Sequence, residues 1–497
     1  MALDVVAVQQ RRPDPTRAAR RTGLAGSLAA AAGAFGAGAL PAGPVPGLLS
    51  TVALALVYAG ALLMVIGWWD ATQLVRSGEV PAGAALRLVG VWAAPLALAP
   101  PLFSRDVYAA LAQGTMAARG LDPAVWSPAA ALGPDAPSVL AVSQLWRAAP
   151  SPYGPVASLV QQAVAALTGT DPVAGVLVHR AVALGGLAAI IWALPRLAAR
   201  HGVDPGRAIV LGAAHPLVLF HLVSGVHHDA LMLGLVLAGL ELAARAGPLR
   251  VAGVVLIALA GMVKLPALLV LGFVAAQEAG KRGGRVRDVV VTGASTAAVA
   301  GTVAAGAAGL FAWQVGGTGW TWIGALDVPA TVVTWLSPPS MIGFGAAHLT
   351  GAPLDGVLAV TRGTALVVAA VVLAGLLLAT VAGRLDALSG TAVGFGVVIV
   401  CGPVVQPWYL LWALLPLAAA GRWPRWTPRL LAGAAVVALL DVPPGDWWEF
   451  TAMHPLVAVP VAAAVVLLVR PGLLSPAPGT PPPWCASGST RGRSSAS

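Results

Sequence analysis

An unbroken run without a charged side chain, from Thr22 to Trp69, constrains this sequence more than any other feature. Similar apolar runs recur along most of the chain, which is 58% hydrophobic and only 10% charged. A soluble domain carries roughly 25% charged residues, because polar groups must cover its surface. The runs are continuous rather than alternating, which argues against an outer-membrane barrel. We therefore predict an all-α, polytopic integral membrane protein and exclude a soluble enzyme, a disordered chain and a coiled coil.

The apolar runs predict about 11–14 transmembrane helices. A full span needs about 20 residues, and several runs are shorter, so some are expected to be half-helices or re-entrant segments. Residues 22–470 form the predicted transmembrane domain, between a basic segment, 1–21, and a Pro/Ser-rich tail, 471–497, that is expected to be disordered. The predicted spans are 22–40, 48–69, 86–102, 173–198, 206–222, 229–246, 250–263, 264–278, 288–312, 356–380, 388–403, 404–420, 428–442 and 455–470.

The distribution of basic residues predicts the orientation in the membrane. If the N-terminus is cytoplasmic, 23 of the 29 Lys and Arg residues fall in segments on the cytoplasmic side, as the positive-inside rule requires. The rule accounts for the net charge of +10, so the charge does not imply nucleic acid as a partner. We predict a plasma-membrane protein with both termini in the cytoplasm and the long loops 103–172 and 313–355 outside it.

The first polar cluster, SRDVYAALAQG at 104–114, places Arg105 and Asp106 where the third predicted span ends. An ionisable residue at this boundary is a functional candidate. The alternative is an arginine that reaches the lipid headgroups, with the aspartate as its counter-ion. The loop that follows is long for a compact membrane protein. It contains PSPYGPV at 150–156 and an amphipathic stretch at 155–168, so we expect an ordered loop on the membrane surface.

The second cluster, HHDALMLGL at 227–235, opens a predicted helix with His227, His228 and Asp229. A carboxylate is favoured near a helix N-terminus, so the structural alternative is a helix cap with polar neighbours. A metal site is disfavoured, because adjacent ligands on one turn diverge and no second cluster of ligands is evident. The two cysteines form neither a disulfide framework nor a metal site.

The third cluster is MVKLPAL, where Lys264 interrupts an apolar run from Val251 to Gln277. A lysine within the membrane costs a few kcal/mol on insertion scales, and Pro266 is expected to kink or break the helix. A broken helix together with a positive charge indicates an anion site within the membrane. The alternative is a lysine that snorkels at a hairpin turn.

Two aromatic segments complete the candidates, WQVGGTGWTWIGALD at 313–327 and CGPVVQPWYLLWALLP at 401–416. Trp320 and Trp322 in the first segment either stack on sugar faces or form the aromatic belt at the membrane interface. Pro403 and Pro407 predict a broken helix junction in the second segment. The candidate side chains are Trp320, Trp322, Gln406, Trp408 and Tyr409.

Taken in order, SRDVY…AQG, PYGPV, HHDALM, VKLPA and QPWYLLW resemble a known family. This is the polyprenol-phosphate-mannose-dependent α-(1→6)-mannopyranosyltransferase family of actinobacteria, within the GT-C superfamily of multi-spanning glycosyltransferases. The resemblance extends over about residues 22–470. One departure is visible, because the family often has His-Asn-Asp where this chain has His227-His228-Asp229.

The resemblance implies an inverting glycosyltransferase that moves mannose from a polyprenyl monophosphate to an extracytoplasmic mannan or lipoglycan acceptor. Asp106 matches the catalytic carboxylate of the first extracytoplasmic loop and would be the general base. The leaving phosphate needs cations and hydrogen bonds, for which Arg105, Lys264 and His227 are the candidates. No metal or other cofactor is expected, and the partners are the lipid donor, the acceptor and membrane lipid. The expected sugar and acceptor contacts are Tyr108, Tyr153, His228, Asp229, Trp320, Trp322, Gln406, Trp408 and Tyr409.

Two other functions remain compatible with the sequence. The first is a GT-C transferase with a different sugar or acceptor, and the second is a flippase or transporter of lipid-linked sugars. Transporters place polar residues at mid-membrane, on broken helices in two related halves. Here the polar residues gather at the predicted outer ends of the spans, which favours a reaction at the membrane surface over transit.

Overall fold

The structure is a computed structural model that describes residues 14–78 and 80–470. Its regular elements are helices throughout this range, which confirms the predicted all-α class. The tail 471–497, and with it Cys485, lies outside the described residues, as do residues 1–13 of the predicted basic segment.

Fourteen α-helices form the first two thirds of the described chain. They are α1 (Arg17–Ala37), α2 (Leu48–Arg76), α3 (Ala82–Leu98), α4 (Asp106–Ala118), α5 (Pro128–Leu132), α6 (Pro137–Leu140), α7 (Gln144–Arg147), α8 (Pro155–Thr168), α9 (Pro172–Arg200), α10 (Pro205–Leu211), α11 (Asp229–Ala243), α12 (Pro248–Val263), α13 (Leu269–Lys281) and α14 (Val286–Val315). A π-helical turn, Val218–Ser224, lies between α10 and α11.

Seven α-helices follow in the remaining described residues. They are α15 (Pro338–Thr350), α16 (Leu354–Val381), α17 (Ala387–Cys401), α18 (Leu410–Ala420), α19 (Thr427–Val437), α20 (Trp447–Ala452) and α21 (Pro455–Val469). Short 3₁₀ turns occur at Leu265–Leu268, Thr321–Ala325, Val328–Thr331 and Pro407–Tyr409.

Four of these helices, α2, α9, α14 and α16, are long and apolar enough to cross a membrane. The π-helical turn and α11 would add a fifth span, bent by 112°. Every predicted span overlaps a helix, but most of the other apolar helices have only 10–17 residues. The long apolar helices are those of a polytopic membrane protein, and within the described residues most of the other predicted spans coincide with shorter apolar helices.

The segment 103–172, which the sequence predicts as an ordered loop, contains the five helices α4 to α8. It forms α4 and, after three short helices, α8, whose bounds coincide with the predicted amphipathic stretch. The backbones of α4 and α8 are in close contact at Gly114. A Cβ atom at this position would lie only 2.2 Å from the carbonyl oxygen of Gln161. This contact holds α4, which begins at Asp106, against α8.

Helix breaks occur at both of the positions where prolines predict them. The helix α12 ends at Val263, Lys264 has an extended backbone, and Pro266 lies in the 3₁₀ turn that follows. A second break separates α17 from α18, with Pro407 at the start of another 3₁₀ turn. Non-helical backbone at membrane depth is tolerated where it is buried in protein or lines a cavity, so these breaks mark the positions to search for a site.

Glycines bring α9 and α11 into close contact. A Cβ atom at Gly186 would lie 2.3 Å from the carbonyl oxygen of Ala230, and one at Gly234 would lie 2.5 Å from the carbonyl oxygen of Gly186. Small residues allow membrane helices to approach closely and gain van der Waals contact. The contact determines the position of the start of α11, where Asp229 lies.

We predict that Gly186→Ala destabilises the protein by about 1–3 kcal/mol, the usual effect of overpacking, because the new methyl group must push α9 and α11 apart. The matched control is Gly185→Ala in the same helix, where a Cβ atom meets nothing within 4 Å. Thermal unfolding in detergent should show a lower midpoint for Gly186→Ala and an unchanged or higher one for the control. Equal midpoints would contradict this account of the helix contact.

Candidate active site

A cavity of about 360 Å³ lies where α4, the break at Lys264, the junction before α18 and the connection after α19 meet. Its wall contains the carboxylates of Asp106 and Asp441 and the ammonium group of Lys264. The fold thus brings together segments that are far apart in the sequence. The predicted site residues that line this cavity are Arg105, Asp106, Tyr153, Lys264, Gln406, Trp408 and Tyr409.

Asp106 is the first residue of α4, and 24% of its side chain is exposed. Its Oδ2 atom lies 3.6 Å from Nε2 of His227. Burial raises the pKa of Asp106, but His227 and the charge of Lys264 lower it by more, so the pKa stays below its ordinary value. An ionised carboxylate accepts hydrogen bonds and does not donate them, so Asp106 presents an acceptor to the cavity.

His227 is buried behind Asp106 and is held in one orientation. Its Nδ1 lies 2.9 Å from the carbonyl oxygen of His221, and because a carbonyl only accepts, Nδ1 carries the hydrogen. The ring stacks on Trp408 with a centroid distance of 3.7 Å. Nε2 therefore faces Asp106, and it has no hydrogen-bond partner among the described residues.

Lys264 is held by an ion pair and an aromatic cage. Its Nζ donates to both carboxylate oxygens of Asp229, at 3.1 and 3.0 Å, and Trp412 Nε1 donates to the same carboxylate at 2.6 Å. The ammonium group lies 4.3 Å from the ring centroid of Tyr409 and 5.8 Å from that of Tyr153. Cations are attracted to the faces of aromatic rings, so the cage and the ion pair together fix the charge at the cavity wall.

Arg105 connects the start of α4 to α20. Its Nη1 donates to the carboxylate of Glu449 at 2.7 and 2.8 Å. Nε and Nη2 donate to the carbonyl oxygens of Ala141 and Leu40. The side chain lines the cavity but is almost fully buried. Its contact with a phosphate remains a prediction. These four hydrogen bonds leave one of the five guanidinium N–H donors, on Nη2, without a partner among the described residues.

Several predicted residues do not line the cavity and have partners within the protein instead. Tyr108 donates its hydroxyl to the carbonyl oxygen of Ala39 at 2.7 Å. His228 lies 3.4 Å from Gln161 and packs against Tyr153. Asp229 is fully buried against Lys264, and Trp322 is only 4% exposed. The predicted residues outside the cavity wall are Tyr108, His227, His228, Asp229, Trp320 and Trp322.

Sequence reasoning did not single out three polar residues that also line the cavity, Ser143, Trp412 and Asp441. Trp412 belongs to the QPWYLLW segment, and its spacing of four residues from Trp408 along a helix was the available signal. Asp441 follows the apolar helix α19 and belongs to no recognisable motif.

The carboxylates and histidines of the site are not arranged as a metal centre. In the described part of the chain, no group of three or more His, Cys, Asp or Glu side chains is placed to hold a metal ion. An ionised carboxylate such as that of Asp106 can accept a proton, and an ammonium group such as that of Lys264 can donate hydrogen bonds to an anion.

Comparison with known proteins gives two family matches in sequence order. The model of the alpha-(1→6)-mannopyranosyltransferase N-terminal domain matches residues 20–280, and that of the MptB C-terminal domain matches residues 333–470. No solved structure matches the chain.

Individual relatives match over most of both chains. A protein of Mycolicibacterium smegmatis named "Probable alpha-(1->6)-mannopyranosyltransferase" is 36% identical over 91% of this chain and 88% of its own length. An alpha-(1→6)-mannopyranosyltransferase of Mycobacterium tuberculosis is 34% identical over 90% of this chain and 86% of its own length. Alpha-(1→6)-mannopyranosyltransferase B of Corynebacterium glutamicum is 35% identical over 84% of this chain and 74% of its own length. This chain belongs to the alpha-(1→6)-mannopyranosyltransferase family and is a membrane glycosyltransferase.

Proposed function

We propose that the protein transfers mannose from a polyprenyl-phosphate-mannose donor to an extracytoplasmic α-1,6-mannan or lipoglycan acceptor, with inversion at the anomeric carbon. The names of the relatives support mannosyl transfer. The observation that carries the mechanism is a single cavity whose wall holds the carboxylate of Asp106 and the ammonium group of Lys264. These are the two groups that such a transfer requires, a base for the acceptor and a cation for the leaving phosphate.

Asp106 is the proposed general base. The acceptor hydroxyl attacks the anomeric carbon, the bond from that carbon to the phosphate oxygen breaks, and the hydroxyl proton passes to Asp106. Polyprenyl phosphate leaves with the bonding electrons. One displacement inverts the configuration, so a β-linked donor gives an α-linked product.

His227 acts on Asp106 in this proposal rather than on the phosphate. Its Nδ1 hydrogen is directed to the carbonyl of His221, so Nε2 is the nitrogen that faces the carboxylate, at 3.6 Å. The buried imidazole therefore orients the carboxylate of Asp106. The sequence-based expectation of a phosphate contact is thereby replaced by a positioning role.

Lys264 is the proposed contact for the leaving phosphate. An ammonium group has three N–H donors, and the two hydrogen bonds in the described structure both go to Asp229. One donor therefore remains for a phosphate oxygen. Because the surroundings are buried, a charge fixed at this position stabilises the growing negative charge more strongly than it would in water.

The proposed setting is the plasma membrane, with both termini in the cytoplasm and the cavity on the opposite side. The distribution of basic residues along the sequence supports this orientation. Apolar side chains also line the cavity, among them Leu326, Val398, Ile399 and Val404. They provide a surface on which the prenyl chain of the donor can lie.

We predict that Asp106→Asn lowers the transfer rate by about 10²–10⁴-fold, the usual contribution of a general base, because an amide cannot take the proton. Membranes would be supplied with radiolabelled polyprenyl-phosphate mannose and an α-1,6-mannoside acceptor. EDTA added in parallel should leave transfer by the wild type unchanged. The matched control is Asp355→Asn, which alters an exposed aspartate in the first turn of α16.

Wild-type activity in Asp106→Asn would remove Asp106 as the base. If the wild type accepts other lipid-linked sugars but not mannose, the proposed donor is wrong and the glycosyltransferase mechanism stands. If EDTA abolishes transfer, a metal ion takes part and the role of Lys264 must be revised.

We predict that Lys264→Met abolishes transfer and also destabilises the fold by about 3–5 kcal/mol, because it leaves Asp229 as an unpaired buried charge. The double variant Lys264→Met/Asp229→Asn removes both charges and keeps an acceptor for Trp412. It should recover most of the thermal stability while transfer remains absent.

Unfolding midpoints and transfer rates measured on the same preparations separate the two effects. Recovery of transfer in the double variant would show that Lys264 serves only to balance Asp229. That result would exclude it as the phosphate contact.

A further inference from the structure

Two Asp–His pairs of the same construction lie at the cavity. In the first, Asp106 Oδ2 lies 3.6 Å from His227 Nε2, and in the second, Asp441 Oδ2 lies 3.4 Å from His221 Nε2. Both aspartates line the cavity, with 24% and 20% of their side chains exposed, and both imidazoles are buried behind them. The mechanism above uses only the first pair, so the second requires an explanation of its own.

The position of Asp441 is fixed from three sides. Tyr58 of α2 donates its hydroxyl to the carbonyl oxygen of Asp441 at 3.2 Å. The backbone N–H of Val442 donates to Oδ1 at 3.3 Å. His221 lies behind Oδ2 and packs between Phe103 and Trp408, with ring centroid distances of 6.0 and 5.4 Å. A carboxylate held in this way is oriented before any ligand arrives.

The second pair also has unused hydrogen-bonding capacity. Both ring nitrogens of His221 and the Oδ2 atom of Asp441 are buried without a hydrogen-bond partner among the described residues. Most buried polar atoms in proteins have partners, and an exception calls for an explanation. His221 also belongs to the π-helical turn Val218–Ser224, an element that occurs frequently at functional sites.

We propose that Asp441 is a second substrate-contacting carboxylate, which accepts a hydrogen bond from a hydroxyl group of a hexopyranosyl unit in the cavity, with His221 as its positioning residue. The inference rests on the proposed function, since it assigns a further contact in the same site. Oδ2 is turned toward His221 and buried, so Oδ1 is the oxygen that remains for a ligand. A sugar hydroxyl fits this acceptor, whereas a phosphate would be repelled by it.

The displacement at the anomeric carbon needs only one base, so a second carboxylate is not required for proton transfer. A sugar ring has several hydroxyls that must be oriented at the same time. Both the transferred sugar and the terminal sugar of the acceptor have this chemistry, and the experiment distinguishes them.

The test is a kinetic comparison of Asp441→Asn with the wild type, Asp106→Asn and the exposed control Asp355→Asn. We expect Asp441→Asn to raise KM for one substrate by about 10- to 100-fold, the usual effect of losing a hydrogen bond to a charged group. Its kcat should stay within a few-fold of the wild type. His221→Gln should raise the same KM by a smaller factor.

Deoxy analogues identify the sugar that is bound. Monodeoxy mannosyl donors and monodeoxy acceptors would be assayed separately with the wild type and with Asp441→Asn. The analogue that lacks the bound hydroxyl should be a poor substrate for the wild type, and the variant should discriminate against it little further. If Asp441→Asn does not fold, the same comparison with Asp441→Glu provides the test, because the longer carboxylate keeps its charge but is displaced.

Two results would overturn this inference. A large fall in kcat with unchanged KM would make Asp441 a proton-transfer group, and unchanged kcat and KM would exclude any contact with substrate. If Asp106→Asn is inactive and Asp441→Asn is fully active, the proposed role of Asp441 is wrong and the proposed function stands. An active Asp106→Asn refutes the proposed mechanism itself, whatever Asp441→Asn does.

Discussion

The buried ion pair between Lys264 and Asp229 is the interaction on which the rest of the site depends. It joins the break after α12 to the start of α11, and Trp412 extends the link to α18. Two opposite charges in a buried environment are stable only when they are closely paired and hydrogen-bonded. The pair therefore determines how these helices meet. His227 lies two residues before Asp229, so the same constraint places its ring against Asp106.

A second buried ion pair, between Arg105 and Glu449, holds the residue that directly precedes Asp106. It connects the start of α4 to α20, and two carbonyl oxygens accept further hydrogen bonds from the guanidinium group. Asp106 thus follows a residue that is anchored across the fold, while its own carboxylate stays at the cavity wall. This division agrees with the proposed mechanism, in which one carboxylate must stay available to the acceptor while the neighbouring charges are neutralised.

The helix breaks and the polar segments could be predicted because each has a local cause. Pro266 and Pro407 stop helices wherever they occur, and charged residues beside apolar runs are conspicuous. Asp441 could not be predicted, because its significance comes from His221, which is 220 residues away in the sequence. The role of Asp229 could not be predicted for the same reason. The sequence around it indicates a sugar contact or a helix cap, whereas in the fold it is paired with Lys264.

The sequence by itself determined the membrane class, the all-α architecture, the family and the segments that carry the site, because composition and local patterns specify them. Only the tertiary structure decided which side chains line the cavity and which are used to build it. Lys264, Arg105 and His227 look alike in the sequence as cations near a boundary. Their buried partners differ, and the free energy of a buried charge depends on those partners rather than on the residue type.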